Sequence, residues 1–376
     1  MRDVESLALR STLAGLFSGP FDDPLDDTTF NTIALRVFQW QFSRNEPYRA
    51  FCERRSRTPA TIEHWTDIPA VPTAAFREVA LVAGAAADAE AVFRTSGTTR
   101  GAERRGTHYV LDVSLYHFSL IPNFAACVLP DGAEMTMLSL VPPRRELPDS
   151  SLAHMIDVVM DRLGSAQSRH CATVSDGLDE AQLAHALHAA VTAGEAVCLV
   201  GTSFAFVRWL DGLANRGERF MLPAGSRLMD TGGYKGHGRE VAETALRDMY
   251  RDLLGLDPTH CINEYGMTEL LSQFYDSTLR DAVHGRTGER RKLVPPWVRV
   301  RIVEPDTLEP ITNGEPGLLQ HFDLANAGSV MAVQTEDIAL PAGDGFRLIG
   351  RAAGAVPRGC SIAMDMLLEA VHTRRH

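Results

Sequence analysis

Apolar side chains recur three and four positions apart over residues 4–17 and again over residues 28–44. This spacing places them on one face of a helix, so two amphipathic helices are predicted near the N-terminus. Residues 65–72 contain two prolines three residues apart, which a long helix cannot accommodate. We therefore expect an extended connector there, followed by a short helix that starts near Thr73.

From about residue 91, short apolar runs alternate with longer helical stretches. Strands that alternate with helices indicate parallel strands joined by helical crossovers. The sequence therefore predicts an α/β fold with a mainly parallel sheet. The predicted strands are 91–95, 135–141, 172–174, 196–201 and 227–231, and the predicted helices are 113–128, 151–163, 179–193, 204–215 and 239–254.

Beyond residue 265 the helical patterns largely stop, and strand-like runs separated by proline, glycine, asparagine and aspartate take their place. These runs cover residues 297–303, 317–322, 330–335 and 346–350. A β-rich C-terminal lobe is therefore predicted. We expect three segments: a helical segment over 1–80 packed on the main domain, an α/β core over 81–270, and the β-rich lobe over 271–376.

The chain is acidic, with a net charge of −11 and a pI of about 5.6. This charge argues against nucleic acid or an anionic membrane surface as the main partner. The N-terminus is charged and no 18 apolar residues run together, so neither a secretory signal nor a membrane span is expected. A cytoplasmic location is predicted.

The six cysteines include no pair at CxxC spacing, which argues against a zinc site and against a disulfide framework. Cys127, Cys171, Cys198 and Cys261 lie in apolar surroundings. They are predicted to be small structural residues of the core.

A loop rich in glycine and hydroxyl groups follows the strand predicted at residue 91. Its residues Ser96, Gly97, Thr98 and Thr99 are followed by Arg100. Glycine lets backbone N–H groups approach an anion, hydroxyls add uncharged donors, and arginine supplies a planar fork of donors. The loop is therefore a candidate phosphate site. The alternative is an exposed polar hairpin whose return strand is 107–111.

Four later stretches could serve a similar site. Residues 230–236 (DTGGYKG) lie between a strand and a helix, where open α/β sheets bind ligands. Residues 265–269 (YGMTE) combine an aromatic ring, a glycine, a hydroxyl and a carboxylate, which suit a base, a phosphate and Mg²⁺. Asp337 could accept from ribose hydroxyls, and Arg351 follows the last predicted strand. Taken singly, each stretch also fits an ordinary turn.

In combination these stretches resemble a known superfamily. Residues 96–101 (SGTTRG), 265–269 (YGMTE), Asp337 and 350–351 (GR) occur in the order and rough spacing of the adenylate-forming, or acyl-AMP-forming, enzymes. Within that superfamily, residues 65–69 (WTDIP), 230–236 and 358–361 (RGCS) are similar to the bacterial luciferase-operon acyl-protein synthetase family, and the similarity spans about residues 60–365. The resemblance implies the large domain of an adenylate-forming enzyme, with ATP and Mg²⁺ as cofactors.

The resemblance also implies a role for each matching position. Ser96, Gly97, Thr98, Thr99 and Arg100 would cradle the β- and γ-phosphates of ATP; Gly232 and Gly233 would line the adenine, next to Tyr234; Tyr265 would lie against the base, next to Gly266 and Met267; Thr268 would reach the α-phosphate; Glu269 would hold Mg²⁺; and Asp337 and Arg351 would bind the ribose.

Two features depart from the superfamily pattern. The first loop lacks the usual lysine after its threonines, so Arg100, Arg104 or Arg105 is expected to replace it, although a planar guanidinium is not equivalent to an ammonium group. Only 25 residues follow Arg351. The mobile C-terminal domain that carries the superfamily's catalytic lysine is therefore expected to be missing or vestigial.

Cys360 is the candidate acyl acceptor. It follows Arg358, which could lower the pKa of the thiol and favour the thiolate. As the family resemblance implies, the thiolate could take the acyl group from AMP as a thioester. The alternative is a structural cysteine buried in a strand beside Ile362.

The sequence thus predicts an enzyme that activates a carboxylic acid with ATP and passes the acyl group to a thiol, of Cys360 or of a partner protein. The resemblance implies an acyl reductase as the onward partner. One alternative is a ligase that transfers the adenylate's acyl group directly to CoA, an acyl-carrier protein or an amine. Another is a catalytically degenerate nucleotide-binding subunit.

Two sets of side chains bear on the acid. Aromatic residues near the expected pocket favour an apolar acid, although core packing would explain them as well: Phe118, Phe124, Phe204 and Phe206. Histidines near the two ligand loops could neighbour the substrate carboxylate, or simply pack: His108, His117 and His260.

Overall fold

The computed structural model describes residues 4–95, 105–232, 241–311, 314–352 and 358–373. Contacts within the chain separate it into two compact units. Unit 1 consists of residues 1–122, 267–273 and 293–376, and unit 2 consists of residues 123–266 and 274–292. The division into three segments expected from the sequence stays a prediction.

The predicted helices are confirmed to within a few residues. The α-helices of the described residues are α1 (Val4–Phe17), α2 (Asp27–Arg44), α3 (Glu46–Arg54), α4 (Val113–Val128), α5 (Ser151–Leu163), α6 (Glu180–Ala193), α7 (Ser203–Arg216), α8 (Glu243–Leu254), α9 (Thr278–Val283) and α10 (Arg358–Thr373). The short helix expected near Thr73 is a 3₁₀ helix over Thr73–Arg77.

The β-strands of the same ranges are β1 (Val71–Pro72), β2 (Ala91–Arg94), β3 (Thr107–Val110), β4 (Thr136–Ser139), β5 (Arg169–His170), β6 (Ala172–Thr173), β7 (Gly177–Leu178), β8 (Val197–Thr202), β9 (Arg227–Thr231), β10 (Cys261–Tyr265), β11 (Phe274–Tyr275), β12 (Lys292–Leu293), β13 (Val298–Val303), β14 (Gly317–Asp323), β15 (Ala332–Ala342) and β16 (Gly345–Arg351).

Side-chain caps set the bounds of the N-terminal helices. Asp26 caps α2 by accepting a hydrogen bond from the backbone N–H of Thr29 at 2.9 Å. Asn45 ends α2 and begins α3, because its side-chain oxygen accepts from the backbone N–H of Tyr48. Such caps satisfy amide groups that the first helical turn leaves unpaired. Helix α3 was not predicted, since a single cap residue separates it from α2.

An antiparallel sheet forms the centre of unit 1. Strands β13, β14, β15 and β16 are neighbours in that order, and β1 pairs parallel to β15 with Val71 opposite Val333. All seven residues of β14 are buried. The β-rich character predicted for the C-terminal part of the chain is confirmed by these strands.

Helix α10 contradicts the strand considered for Cys360. Ala363, Leu367 and Ala370 are buried and recur four and three positions apart, which is helical spacing. Through this face α10 packs against α3 and β1. The alternative that placed Cys360 in a strand is therefore wrong, because residues 358–373 bury an apolar stripe with helical rather than alternating periodicity.

A mainly parallel sheet forms the centre of unit 2, as predicted. Its strand order is β5, β4, β8, β9, β10, β11, and only the last pair is antiparallel. Leu138, Leu199 and Leu228 of the sheet are buried against Trp209 and Tyr250 of the helices. These large apolar contacts supply the main stabilisation of an α/β core.

Two strand assignments in unit 2 need correction. The run predicted at residues 172–174 is not part of the parallel sheet, since β6 pairs antiparallel with β7 and the preceding β5 pairs with β4. Strands of two residues are too short to show a period of two. Strand β10 was missed, because Asn263 and Glu264 interrupt its apolar pattern.

In no helix of the described ranges do length and apolarity reach what a bilayer span requires.

Candidate active site

The candidate phosphate loop joins two paired strands of unit 1. Strands β2 and β3 are antiparallel, with Phe93 opposite His108, so the hairpin considered from the sequence is confirmed for its strands. At the neck, Thr95 N–H donates to Gly106 O and Gly106 N–H donates to Thr95 Oγ1, both at 2.9 Å. Ser96, Gly97, Thr98, Thr99 and Arg100 lie outside the described residues.

Arg105 lies at the neck of the same loop. Its Nε donates to the carbonyl oxygen of Thr95 at 2.6 Å, and its Nη2 donates to the carbonyl oxygen of Arg94 at 3.2 Å. Two of its donors therefore bind the chain itself. Arg100 and Arg104, the other candidates to replace the superfamily's loop lysine, lie outside the described residues.

In unit 2, Gly232 follows the carboxyl end of β9, as predicted. Its φ of +76° lies in the left-handed region that only glycine adopts readily. Its carbonyl oxygen lies 2.9 Å from the hydroxyl of Ser203, which also lies 2.9 Å from Asp230 Oδ2. The start of the glycine-rich loop is therefore anchored to the first residue of α7. Gly233 and Tyr234 lie outside the described residues.

A buried polar network supports this end of the sheet. Asp230 accepts from Tyr250 Oη at 2.9 Å and from Asn263 Nδ2 at 3.0 Å. Lys292 Nζ donates to Asn263 Oδ1 at 2.6 Å and lies 3.0 Å from Asp276 Oδ1. Burial raises the pKa of Asp230 above its usual range. Buried polar groups of this kind are stable only when each has a partner.

Tyr265 is the last residue of the adjacent strand, β10, and Gly266 follows it. Thr231 and Glu264 are directly opposite in the parallel register, and the Thr231 hydroxyl donates to the Glu264 carboxylate. A Cβ at position 266 would collide with that carboxylate, so Glu264 would have to shift to admit any side chain there. The Tyr265 ring lies 5.8 Å from the Phe274 ring and is half-buried. Unit 2 thus places Gly232, Tyr265 and Gly266 at the carboxyl ends of two neighbouring strands, β9 and β10.

The following residues, 267–273, belong to unit 1 and form neither a helix nor a strand. His108 Nδ1 lies 2.7 Å from the carbonyl oxygen of Thr268, and Asn326 Nδ2 donates to the carbonyl oxygen of Glu269 at 2.9 Å. Asp323 Oδ2 accepts from the backbone N–H groups of Leu271 and Ser272. Side chains from three other parts of unit 1 therefore hold this segment.

His108 is a core residue rather than a neighbour of solvent or substrate. Its side chain is 1% exposed, and burial lowers its pKa to about 4, so the imidazole is neutral near pH 7. A carbonyl oxygen can only accept, so Nδ1 carries the proton and Nε2 does not. The interpretation that His108 packs is therefore favoured over contact with the substrate carboxylate.

Asp337 and Arg351 are brought together by the sheet of unit 1. They are opposite residues of β15 and β16, and Arg351 Nε lies 3.0 Å from Asp337 Oδ1. Asp337 is buried, whereas the Arg351 side chain is 77% exposed. The pair presents a carboxylate and an exposed guanidinium at one point of the sheet surface. Arg351 is the last residue of β16 rather than the residue after it.

The cysteines fall into two groups. Five have described side chains, and all five are buried: Cys52, Cys127, Cys171, Cys198 and Cys261. Burial raises the pKa of Cys171 to about 11 and of Cys198 and Cys261 to about 12, which removes thiolate at neutral pH. The backbone of Cys360 lies in the first turn of α10, and its side chain is outside the described part.

Two of the four phenylalanines considered for the acid pocket are core residues. Phe124 packs edge-on against Tyr275, and Phe206 packs edge-on against Tyr250, with both phenylalanines fully buried. For these two, core packing is the sufficient explanation. Phe118 is 38% exposed, and the Arg10 guanidinium lies over its ring, 5.7 Å from the ring centre.

The family model described as acyl-protein synthetase, LuxE, matches residues 158–369, more than half of the 376 residues. The chain belongs to the acyl-protein synthetase family. The match includes residues 265–269, Asp337, Arg351 and Cys360. The resemblance found in the sequence is thereby confirmed.

Two named relatives align over nearly the whole chain. The long-chain-fatty-acid–luciferin-component ligase of Vibrio harveyi is 24% identical over 349 residues, which are 89% of this chain and 86% of that protein. The ligase of the same name from Aliivibrio fischeri is 24% identical over 353 residues, which are 90% of this chain and 88% of that protein.

A solved structure shares the fold. It is an open conformation of 2-hydroxyisobutyryl-CoA ligase in complex with 2-HIB-AMP and CoA, with a TM-score of 0.63 and 13% identity over 86% of this chain and 69% of that one. At this identity the likeness bears on the fold alone. The predicted adenylate-forming fold is confirmed.

Several residues that hold the site were not found from the sequence. Asp323, Asn326 and Ser272 lie in stretches that read as apolar core or plain turn. One signal was the set of polar residues spread through residues 319–334, a stretch in which the structure buries almost every position. A buried polar residue in such a run usually has a specific partner.

Proposed function

We propose that this acyl-protein synthetase uses ATP to convert a long-chain fatty acid into an acyl-adenylate and then takes up the acyl group on Cys360. The protein is an ATP-dependent acid ligase that forms an acyl-adenylate and transfers its acyl group. The fatty acid, the acceptor thiol and the residue roles are the proposed part. The observation that carries the proposal is the family match over residues 158–369, which includes both the YGMTE segment and Cys360.

The first step joins the acid to AMP. A carboxylate oxygen of the acid attacks the α-phosphorus of ATP, the bond between the α- and β-phosphates breaks, and pyrophosphate leaves. Protein groups need only align the reactants and balance the charge on the transferring phosphoryl group. We assign Thr268 to the α-phosphate, Asp337 and Arg351 to the ribose, and Ser96, Gly97, Thr98, Thr99 and Arg100 to the outer phosphates.

The adenine is assigned to residues 232–234 and 265–267. Gly232 and Gly233, with Tyr234, would line the base, and Tyr265 would lie against it, followed by Gly266 and Met267. The exposed backbone at Gly232 and Gly266 supports this assignment, because glycine lets a flat base approach the chain closely. The half-buried Tyr265 ring supplies a stacking surface.

Magnesium is assigned to Glu269. In the described part of the chain, no three histidine, cysteine, aspartate or glutamate residues are grouped to hold a metal ion. A single carboxylate still fits Mg²⁺, which usually takes one or two carboxylates together with substrate phosphates and water. When bound there, the ion would neutralise charge on the phosphates. Glu269 is 8% exposed and its carbonyl oxygen accepts from Asn326 Nδ2, so the backbone that carries this carboxylate is held in place.

The second step moves the acyl group to sulfur. The thiol of Cys360 first gives up its proton; the thiolate then attacks the acyl carbon, the carbon–sulfur bond forms, and the bond between that carbon and AMP breaks. Thiolates are favoured in the first turn of a helix, and the backbone of residue 360 lies in the first turn of α10. The role expected for Arg358 in lowering the pKa of the thiol stays a prediction. The five buried cysteines do not lie in the first turn of a helix.

The named relatives support the proposed acid, and the family resemblance supports the onward partner. The names of the Vibrio harveyi and Aliivibrio fischeri ligases specify a long-chain fatty acid. We propose the same class of acid here, and a partner protein that receives the acyl group from Cys360. An acyl reductase would consume such a thioester by transferring a hydride to its acyl carbon, which releases the thiol and gives an aldehyde.

Pyrophosphate exchange tests the first step. With fatty acids of varied chain length, aryl acids and amino acids, the protein should exchange labelled pyrophosphate into ATP best with long-chain fatty acids. A preference for aryl or amino acids would refute the assigned acid. Absence of exchange with every acid would favour a degenerate nucleotide-binding subunit.

Acyl labelling tests the second step. With a labelled acid and ATP, the protein should form a hydroxylamine-labile adduct that Cys360→Ala abolishes while exchange persists. Cys171→Ala is the matched control and should keep the adduct. If Cys360→Ala still carries the label, the acceptor lies elsewhere. If AMP release instead requires CoA, a carrier protein or an amine, the adenylate is used directly.

A further inference from the structure

Two buried side chains bind backbone carbonyls on either side of one residue of the YGMTE segment. The carbonyl oxygen of Thr268 lies 2.7 Å from His108 Nδ1, and that of Glu269 lies 2.9 Å from Asn326 Nδ2. We propose that His108 and Asn326 are positioning residues that together fix the direction of the Glu269 side chain. The proposal rests on the proposed function in taking Glu269 as the magnesium ligand.

The geometry of the peptide unit makes these two contacts act together. The Thr268 carbonyl belongs to the peptide before Glu269, and the Glu269 carbonyl belongs to the peptide after it. Each peptide is a rigid plane, so holding both planes fixes φ and ψ at Glu269 and therefore the direction of its Cα–Cβ bond. Neither contact alone would do so.

Regular structure does not supply this restraint. Residues 267–273 form neither helix nor strand; Leu270 N–H donates to Met267 O at 3.2 Å across a turn centred on Thr268 and Glu269, and the two side-chain contacts add to this single turn. The contacts instead come from residues 160 and 57 positions away along the chain. Burying a polar side chain costs free energy unless it is hydrogen-bonded. His108 and Asn326 offset this cost by binding the two carbonyl oxygens, and those contacts stabilise one backbone shape.

Both positioning residues are themselves held. The His108 ring packs edge-on against Phe76 and is 1% exposed. Asn326 is fully buried, and its Nδ2 also donates to Val330 O at 2.8 Å. Its own carbonyl oxygen accepts from Gln41 Nε2 of α2 at 3.0 Å. The restraint on Glu269 is therefore anchored in the N-terminal helices of unit 1.

Paired substitutions at position 108 separate positioning from bulk packing. The amide nitrogen of asparagine can take the place of Nδ1, whereas that of glutamine takes the place of Nε2. His108→Asn should therefore keep the Thr268 contact and stay within about threefold of wild-type kcat in pyrophosphate exchange. His108→Gln should lower kcat by about tenfold or more, because small misplacements of reacting groups are costly.

A second pair tests Asn326. Asn326→Asp keeps the shape but replaces the N–H donor that faces two carbonyl oxygens with an acceptor, so it should lower kcat and raise the Mg²⁺ concentration that gives half-maximal exchange. Asn45→Asp is the matched control: Asn45 is also buried and donates to a carbonyl oxygen, that of Ser329, but it does not touch residues 267–273. The melting temperature of the Asn45→Asp variant can fall, while its kcat and its Mg²⁺ requirement should stay near those of the wild type.

The outcomes divide clearly. The inference holds if His108→Gln and Asn326→Asp raise the Mg²⁺ requirement while His108→Asn and Asn45→Asp do not. It is overturned if His108→Asn is as impaired as His108→Gln, or if all four variants keep the wild-type Mg²⁺ dependence. If a variant of one pair does not fold, the other pair of variants tests the inference. Absence of exchange in the wild type would instead count against the proposed function, and calorimetry of Mg²⁺-dependent ATP binding on the same variants would then decide the inference.

Discussion

The carboxylate of Asp323 accepts two hydrogen bonds from Ser272, one from the backbone N–H at 3.0 Å and one from the hydroxyl at 2.8 Å. Asp323 is the last residue of β14, and it also caps the following 3₁₀ helix by accepting from Ala325 N–H. The Ser272 hydroxyl in turn accepts from Trp297 Nε1 at 3.0 Å. One residue of the irregular segment thus joins a strand end and a buried tryptophan.

Removing the Ser272 hydroxyl should destabilise the protein. Ser272→Ala leaves Trp297 Nε1 without its acceptor and takes one donor from Asp323, and a buried polar group left unpaired costs about 1–3 kcal/mol. Urea unfolding should show this loss. Ser18→Ala is the control, because the Ser18 hydroxyl is exposed and bonds only within its own turn, and it should change stability by less than about 0.5 kcal/mol. Equal effects of the two changes would contradict the role of Ser272.

Acid should weaken the fold through buried histidines. Burial lowers the pKa of His108 to about 4 and of His321 to about 3. Unfolded histidine binds a proton near pH 6.5, so below that pH the unfolded chain holds protons that the folded chain excludes, and stability falls as pH drops towards 4. Asp323 acts in the opposite sense: burial raises its pKa to about 6, so stability from this group rises as pH falls from 6 towards 4.

The slope of stability against pH measures each contribution. His108→Asn should reduce the slope between pH 4 and 6.5 by about 1.4 kcal/mol per pH unit, the value for one proton. Asp323→Asn should make the slope steeper, since it removes the opposing group. His185→Asn, at an exposed helix position, should leave the slope unchanged. An unaltered slope in His108→Asn would mean that His108 is protonated in the folded protein.

The arrangement of elements could be predicted well because it follows from local patterns. The apolar periodicity of α1 and α2, and the alternation of strands and helices from β4 to β9, are visible within windows of ten to twenty residues. The order of the candidate nucleotide-binding segments was also visible, because glycine and hydroxyl clusters such as 265–269 stand out from their surroundings.

The supports of the site could not be predicted, because they depend on pairing between distant residues. The Thr268 carbonyl meets a histidine 160 positions earlier, and no local pattern marks that contact. Asp337 and Arg351 meet only because a bulge shifts the register between β15 and β16. The helix around Cys360 was missed for a different reason: its apolar stripe is short and its small residues suit either structure.

Glycine at position 266 should be required because of Glu264. A Cβ there would collide with the Glu264 carboxylate, which is held by the Thr231 hydroxyl, so Gly266→Ala should displace the strand end that carries Tyr265. We expect a loss of about tenfold or more in kcat/KM for ATP, since misplacing a binding group has effects of this size. Pyrophosphate exchange at varied ATP concentration measures it.

The collision itself can be isolated with a double substitution. Gly266→Ala should cost less in the Glu264→Ala background than in the wild type, because the obstructing carboxylate is gone, and such non-additivity is expected for residues in contact. Gly15→Ala is the matched control: a Cβ at this position in α1 would meet open space, so activity should be unchanged and the helix slightly more stable. If the cost of Gly266→Ala is the same in both backgrounds, the requirement for glycine comes from contact with ATP rather than from Glu264.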